Sequence, residues 1–139
     1  MNSLPLISTL FLAVIHAVAA NTPQPDSNAA ASCFDWSIVP NTANVAATCL
    51  ENDSLTQHNS VIELSQCTGN QNGVIGCQVN GGAGASCVFS NIQTNAPSGG
   101  VSNFLSIDAA CLNAAGVRVT TANFNLDACL SNFNGNLGC

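Results

Sequence analysis

The chain shows short apolar runs separated by polar turn residues, and no stretch keeps a helical period. Phe124 and Leu126 alternate with asparagine and aspartate, which is the period-two pattern of a half-buried strand. The predicted strands form two corresponding pairs, which are Val45 to Leu50 with Ile107 to Leu112, and Val61 to Leu64 with Asn123 to Leu126. We therefore predict an all-β protein with one-turn helices at strand ends.

Two segments of the same design predict β-hairpins. They are Cys67 to Cys77, CTGNQNGVIGC, and Cys129 to Cys139, CLSNFNGNLGC. The central Asn-Gly pair of each supplies two residues that tolerate positive φ, which a tight hairpin turn requires. A hairpin centred near Asn72 would bring Cys67 opposite Cys77, where a disulfide could lock it. The second copy would do the same with Cys129 and Cys139.

The hairpins belong to an internal duplication with an offset of 62 residues. Between residues 45–77 and 107–139, ten of 33 aligned positions are identical. The cysteines recur at gaps of 16, 18 and 10 positions in the first copy and 24, 18 and 10 in the second. The eight additional residues fall in Thr94 to Asn103, which has loop chemistry throughout. We place repeat 1 at residues 32–77 and repeat 2 at residues 86–139.

The first part of the chain predicts targeting rather than folding. Leu4 to Val18 is almost wholly apolar and residues 17–20 are small, so residues 1–20 are interpreted as a signal peptide and the protein as secreted. A membrane anchor is the alternative, but the run falls short of the roughly 20 residues that span a bilayer. Residues 21–31 have the composition of a flexible tail, which leaves residues 32–139 as the folded domain.

Eight cysteines in a small secreted domain predict a disulfide framework. They allow 105 pairings, and two equivalent halves should pair equivalently. The simplest symmetric pattern is Cys33 with Cys49, Cys67 with Cys77, Cys87 with Cys111, and Cys129 with Cys139. No metal or cofactor is expected, because the chain has no CxxC pair and only one histidine, His58, beyond the signal peptide.

Charge excludes several classes of partner and of activity. Arg118 is the only basic side chain against seven carboxylates, whereas nucleic acids and anionic membranes are bound through Lys and Arg. Binding should therefore use neutral hydrogen bonds from the abundant Asn, Ser, Thr and Gln. An enzyme is not expected, because Glu51, Asp53 and Glu63 have no acidic counterparts in repeat 2. The lone candidate base, His58, lies in no recognisable catalytic motif.

Four motifs occur in the same order in both repeats: a Ser-Cys start, an Ala-x-Cys or Ala-Cys strand, a strand of the type NSVIEL or ANFNLD, and an N-x-N-G hairpin. Over nearly all of Ser32 to Cys139 this set resembles the cyanovirin-N homology family of lectins. The resemblance implies two pseudo-symmetric halves, each a three-stranded sheet completed by the hairpin of the other repeat. It also implies disulfides Cys33 with Cys49 and Cys87 with Cys111, whereas bridges within the hairpins go beyond the founding pattern.

In such lectins a shallow sugar pocket lies at each far end, against the N-x-N-G loop. Carried over by position, the resemblance implies one pocket formed by Ser32, Asn52, Asn132, Phe133 and Asn134. It implies a second pocket formed by Gly69, Asn70, Asn72, Ser86 and Asn113. Asparagine amides suit sugar hydroxyls because they both donate and accept. Leu50 and Leu112 stand where the family's binders carry charged side chains, so specificity or binding could differ here.

Structural interpretations stay open beside these. The hairpin asparagines could serve turn geometry alone, Ser32 and Ser86 could be plain strand-end residues, and Trp36 is better explained as core than as a sugar platform. Asn52, Asp53 and Ser54 form the only N-glycosylation sequon, and a glycan there could cover the first pocket.

The sequence thus favours a secreted, non-catalytic lectin for neutral oligosaccharides such as mannose-containing glycans. Its expected partners are glycans or glycoproteins, and it would be a monomer or a hairpin-exchanged dimer. The alternative is an extracellular structural or interaction protein that keeps the scaffold without sugar binding.

Overall fold

The computed structural model describes residues 28–95 and 99–139. The predicted signal peptide, residues 21–27 of the predicted tail and residues 96–98 of the predicted loop lie outside these described residues. Within the described ranges the protein is all-β, as predicted, with ten strands and short 3₁₀ turns between them. No helix in these ranges has the length and apolar character needed to cross a membrane.

Each repeat forms a three-stranded antiparallel sheet followed by a two-stranded hairpin. Repeat 1 contains β1 (Cys33–Ile38), β2 (Asn44–Leu50) and β3 (Gln57–Glu63), then the hairpin strands β4 (Thr68–Gln71) and β5 (Val74–Cys77). Repeat 2 contains β6 (Cys87–Thr94), β7 (Leu105–Leu112) and β8 (Arg118–Asn125), then the hairpin strands β9 (Ser131–Phe133) and β10 (Asn136–Gly138). The 3₁₀ turns are Ala29–Ala31, Leu64–Gln66, Ala83–Ala85 and Leu126–Ala128.

The third strand of each sheet is longer than the sequence pattern predicted. β3 begins at Gln57 rather than Val61, and β8 begins at Arg118 rather than Asn123. The added residues are polar or exposed and therefore lack an alternating apolar signal. They are extended because the central strand of each sheet offers them backbone hydrogen-bond partners. The predicted one-turn helices follow directly after β3 and β8.

The Asn-Gly pairs make the tight hairpin turns that the sequence predicted. Asn72 and Gly73 have φ of 53° and 94°, and Asn134 and Gly135 have φ of 51° and 87°. Both residues of each turn thus occupy the left-handed region, which glycine adopts freely and asparagine tolerates.

Each hairpin packs against the sheet of the other repeat. Leu137 N in β10 donates to Ser60 Oγ in β3 at 2.8 Å, and Asn70 Nδ2 in β4 donates to Leu112 O in β7 at 2.7 Å. The exchange of hairpins implied by the resemblance is therefore present. As a result both halves of the molecule depend on both repeats.

A single cluster of buried apolar side chains joins the two halves. Its fully buried members include Leu64 and Leu126, which the duplication aligns, together with Leu105, Ile107 and Leu130. Large aromatic side chains are scarce in this cluster, so four disulfides supplement a core built mainly from Leu, Ile, Val and Ala. Trp36 packs at its edge, and its Nε1 donates to Cys33 O at 3.2 Å.

Two disulfides agree with the prediction and lie within the sheets. Cys33 is bonded to Cys49, and Cys87 to Cys111. In each pair the two cysteines are direct cross-strand neighbours with Cα atoms 4.0 Å apart.

The predicted bridges within the hairpins are wrong: Cys67 is bonded to Cys139 and Cys77 to Cys129. The reason is the register. A two-residue turn at Asn72 and Gly73 places Thr68, not Cys67, opposite Cys77. Successive side chains of a strand point to opposite faces, so Cys67 faces away from Cys77.

In the second hairpin, too, the register keeps the two cysteines from lying opposite each other. Ser131 lies opposite Gly138, whereas Cys129 stands two positions before Ser131 and Cys139 one position after Gly138. Because the hairpins are exchanged, the start of each lies close to the end of the other. The two bridges between the hairpins are related by the same offset as the repeats, so the pairing is symmetric after all.

The predicted tail is also too long, because residues 28–31 belong to the folded part. Ala29 and Ala30 are fully buried in a 3₁₀ turn. The backbone N–H of Ala29 donates to Leu130 O at 3.2 Å, and Ala30 N donates to Asp127 Oδ1 at 2.9 Å. A run of alanines carries no periodic signal, but here the small side chains let the backbone approach the second repeat closely.

Candidate functional site

The residues predicted for one sugar pocket lie around the turn of the second hairpin. Those predicted for the other pocket lie around the turn of the first hairpin. We call the first group site A and the second site B. Site A comprises Ser32, Asn52, Asn132, Phe133 and Asn134. Site B comprises Gly69, Asn70, Asn72, Ser86 and Asn113.

Asn132 anchors the second hairpin in site A. Its Nδ2 donates to Ser32 Oγ at 2.9 Å and to Leu50 O at 2.7 Å, and its Oδ1 accepts from Gly135 N at 2.8 Å. Both amide hydrogens and one lone pair of the oxygen are thus engaged within the protein. The main role of Asn132 in this structure is to hold the hairpin against β1 and β2.

Asn134 is the exposed residue of the same turn. Its Oδ1 accepts from Asn52 N at 3.0 Å, which ties the turn to the loop between β2 and β3. Its Nδ2 makes no hydrogen bond within the described residues, and neither does the side chain of Asn52. Two asparagine amides at site A therefore remain free to meet a ligand.

Asp53 shapes the loop that carries Asn52. Its Oδ1 accepts from Leu55 N at 2.9 Å and from Thr56 N at 2.8 Å, and its Oδ2 accepts from Thr56 Oγ1 at 2.6 Å. The hydrogen bonds from Thr56, followed by the one from Leu55, lower the pKa of this carboxyl below its ordinary value. The carboxylate thereby holds the turn that carries Asn52.

Site B repeats the anchor of site A almost atom for atom. Asn70 Nδ2 donates to Ser86 Oγ at 2.8 Å and to Leu112 O at 2.7 Å, and Asn70 Oδ1 accepts from Gly73 N at 2.7 Å. This repetition shows that the first asparagine of each N-x-N-G motif has a structural role.

The exposed turn residue of site B is also held from the other repeat. Asn72 Oδ1 accepts from Ala114 N at 2.7 Å, and Asn72 Nδ2 is free within the described ranges. Asn113 Oδ1 accepts from Ala115 N at 3.0 Å and Val117 N at 2.9 Å, which leaves its Nδ2 unengaged. Site B thus presents free amide groups on Asn72 and Asn113.

Two predicted site residues do not line the sites with their side chains. Gly69 is buried, and a Cβ on it would lie 2.9 Å from Gln78 Cδ, so it faces the segment after β5. The Phe133 ring lies against Gly138, where a Cβ would come within 2.6 Å of Phe133 Cε2. Strand alternation places this ring on the face opposite to Asn132, so only the backbone of Phe133 borders site A.

Sequence reasoning did not assign Glu51, His58 and Val119 to the sites. A Cβ on Gly135 would lie 2.9 Å from His58 Cβ and 3.1 Å from Glu51 Cγ, so both side chains flank the turn of site A. The corresponding contact of Gly73 in site B is with Val119 Cγ2 at 2.8 Å. An alignment at a fixed offset does not pair His58 with Val119, because the loop before β8 is one residue shorter than the loop before β3. A bulge in β8 then restores the register.

Two concavities of the described surface contain no residue of site A or B. A groove of about 550 Å³ lies between the β1–β2 turn and β6, with Ile38, Thr42 and Phe89 among its lining. A smaller one of about 120 Å³ borders the disulfides between the hairpins. In residues 28–95 and 99–139 no group of three or more His, Cys, Asp or Glu side chains is placed to hold a metal ion.

Comparison with known proteins agrees with this geometry. Residues 30–138 match the CVNH domain, whereas no curated protein is detectably similar to the chain. The structure resembles a designed cyanovirin-N homolog lectin solved by NMR, with TM-score 0.61, 19% identity, and coverage of 80% of this chain and 97% of the other. At this identity the likeness shows the fold.

Two further solved structures share the fold. For the CVNH protein of Gibberella zeae the TM-score is 0.57 and the identity 24%, over 80% of this chain and 95% of that one. For microvirin in its complex with mannobiose the TM-score is 0.56 and the identity 19%, over 80% of this chain and 96% of that one.

Proposed function

Because the chain belongs to the CVNH domain family, we propose that it is a lectin that binds neutral oligosaccharides, including mannose-containing ones, at sites A and B. One observation carries the proposal. At both turns, an exposed asparagine is pinned through its Oδ1 to a backbone N–H of the other repeat and leaves its Nδ2 free.

The free groups at each site match the chemistry of a sugar. The amides of Asn52 and Asn134 in site A, and of Asn72 and Asn113 in site B, offer donors without charge. The turns and loops that carry them are tied together by hydrogen bonds between repeats, so little conformational freedom would be lost when a ligand binds. The exposed position of the turns suits the ends of glycans that project from a surface.

Charge supports neutral rather than acidic glycans. The net charge is −6 with one basic residue, and Arg118 Nη1 already donates to Ala110 O at 2.9 Å. A sialylated or sulfated glycan would meet one cationic side chain at most, the exposed Arg118, together with a repulsive overall field. We expect such glycans to be rejected.

The proposal also covers localisation, catalysis, oligomeric state and partners. The protein is proposed to be secreted, on the apolar leader, and non-catalytic, since Asp53 is committed to a turn. It is proposed to be a monomer or a hairpin-exchanged dimer. Glycans or glycoproteins are its proposed partners.

A glycan array tests the proposal, with the protein produced without N-glycans compared to Asn72→Gly, Asn134→Gly and the double variant in the same form. Glycine keeps the positive φ of both turn positions and removes only the amide. Asn41→Gly is the matched control, because Asn41 is also an exposed turn residue with φ of 60° but belongs to neither site. We expect binding to neutral glycans that falls in each single variant and disappears in the double one.

Absence of binding to every neutral glycan would remove the proposal. Equal binding by the double variant would separate glycan recognition from these turns. Retention of an extracellular protein partner without glycan binding would favour the alternative role as an interaction protein.

A further inference from the structure

We infer that Asn52 is a site of N-linked glycosylation, and that its glycan covers site A, so that the secreted protein offers one open sugar site instead of two. The masking of site A rests on the proposed function, whereas the modification itself does not. Both require that the chain enters the secretory pathway.

The acceptor motif is unique in the sequence. Asn52, Asp53 and Ser54 form the only N-x-S/T triplet with a non-proline centre in all 139 residues. It lies in the loop between β2 and β3, and Asn52 and Ser54 are both exposed. An exposed turn is the ordinary setting of an N-glycan.

The side chain of Asn52 is free to be modified. Its amide makes no hydrogen bond within the described residues, and the loop is held by its backbone and by Asp53 instead. Ser54 Oγ also makes no hydrogen bond there, and Ser54 N donates to Glu51 O at 2.9 Å. A glycan on Asn52 would therefore break no contact that the fold needs.

The reaction balances without a redox partner. Asn52 Nδ2 attacks C1 of the first sugar of a lipid pyrophosphate-linked oligosaccharide. The bond from C1 to the pyrophosphate oxygen breaks, the lipid pyrophosphate leaves with the electron pair, and the amide nitrogen loses one proton. The product is a neutral glycosylamide that keeps one N–H.

The position of Asn52 places the first sugar over site A. Asn52 N lies 3.0 Å from Asn134 Oδ1, so the acceptor side chain starts beside the free Nδ2 of Asn134. Gly135 of the same turn packs against Glu51 and His58, which also border this turn. The aligned position in site B is Ala114, which has no acceptor amide. The modification would thus silence one of two similar sites.

The test uses the full chain secreted from a eukaryotic host as the natural sequence, Ser54→Ala, Ser54→Thr and Asn52→Gln. Intact mass before and after treatment with a peptide N-glycosidase reports the modification. Calorimetric titration with mannobiose counts the open sites, and Asn134→Gly and Asn72→Gly assign them. Ser54→Thr is the matched control, because it keeps the sequon and changes the same position.

We expect a glycan on the natural protein and on Ser54→Thr, and none on the other two variants. The number of mannobiose sites should be one with the glycan and two in Ser54→Ala. A natural protein of unmodified mass would overturn the inference, and so would two open sites in a fully glycosylated protein. If Ser54→Ala binds no mannobiose, the proposed function and the masking fail together, while the mass alone still decides the modification.

Discussion

Cys67, just before β4, is bonded to Cys139, just after β10, across 72 residues of sequence. With its symmetric counterpart between Cys77 and Cys129, this bridge fastens each hairpin to the other. Both hairpins are already held by the opposite repeat through Asn70 and Asn132. The exchange of hairpins is therefore secured covalently as well as by hydrogen bonds.

The first prediction concerns the order in which the disulfides are reduced. Cys77 and Cys139 are exposed, whereas every cysteine of the two bridges within the sheets is at most 6% exposed. Because reduction needs access of a thiolate to sulfur, limiting reductant should open the bridges between the hairpins first. Alkylation followed by peptide mapping should label Cys67, Cys77, Cys129 and Cys139 before the other four.

Mapping of the untreated protein provides the control for that experiment. It should yield peptides that join the two hairpins, and a peptide with Cys67 linked to Cys77 would contradict the structure. The chain-entropy model assigns roughly 4 kcal/mol of stability to loops of this length, against roughly 3 for the bridges within the sheets. Opening the exposed pair should therefore lower the free energy of unfolding substantially.

The fold could be predicted from the sequence where the signal was local or repeated. The Asn-Gly turns require positive φ at two adjacent residues, and the duplication fixed the equivalence of the halves. The pairing of Cys67 could not be read from a ten-residue spacing, because it depends on whether the turn holds two or three residues. That single residue decides which face of the strand the sulfur occupies.

The sequence placed the asparagines of the predicted sites at the hairpin turns, but it did not show which of their amides are engaged within the protein. Asn70 and Asn132 were expected to meet the sugar, yet their amides are taken up by Ser86, Ser32 and backbone carbonyls. A sequence cannot separate an asparagine that ties two repeats together from one that faces solvent, since both occur in the same N-x-N-G motif. The distinction requires the contacts between residues far apart in the chain.

The second prediction follows from the different structural roles of the two asparagines in each N-x-N-G motif. Asn132→Ala should lower the free energy of unfolding by about 1–3 kcal/mol, because it leaves Leu50 O and Gly135 N without their partner. Asn134→Gly should cost less than about 1 kcal/mol, since it removes one exposed hydrogen bond and keeps the turn. Urea unfolding measures both. Equal losses would mean that the two asparagines do not differ in structural role.

The third prediction compares two buried serines of the sheets. Ser106 Oγ is fully buried and has no hydrogen-bond partner in the described part of the chain, whereas Ser60 Oγ accepts from Leu137 N at 2.8 Å. Ser106→Ala should therefore leave the free energy of unfolding unchanged or raise it by about 1 kcal/mol. Ser60→Ala should lower it by about 1 kcal/mol, because it leaves Leu137 N without an acceptor at the contact between a hairpin and the opposite sheet. In thermal and urea unfolding only Ser60→Ala should lower the midpoints, and a clear destabilisation by Ser106→Ala would reveal a partner for that hydroxyl.

The fourth prediction is a dependence of stability on pH through Asp108. Its carboxylate accepts from Asn123 N at 2.8 Å and from Asn91 Nδ2 at 2.9 Å, and both asparagines have positive φ next to irregularities in strand pairing. These hydrogen bonds, the one from Asn123 first, lower the pKa of Asp108 below its ordinary value. A carboxyl with a lowered pKa in the folded state contributes stability above its unfolded pKa of about 3.9, and that contribution is lost as pH falls through the folded value.

The expected result is a stability difference between the natural protein and Asp108→Asn that is present at pH 6 and shrinks below about pH 4. Asn91→Ala removes one of the two donors, so its difference from Asp108→Asn should depend less on pH than that of the natural protein. Urea unfolding at a series of pH values measures both. A difference between the natural protein and Asp108→Asn that stays constant down to pH 2 would show that the fold does not favour the charged carboxylate, and that Asp108 holds the two irregular strand segments by geometry alone.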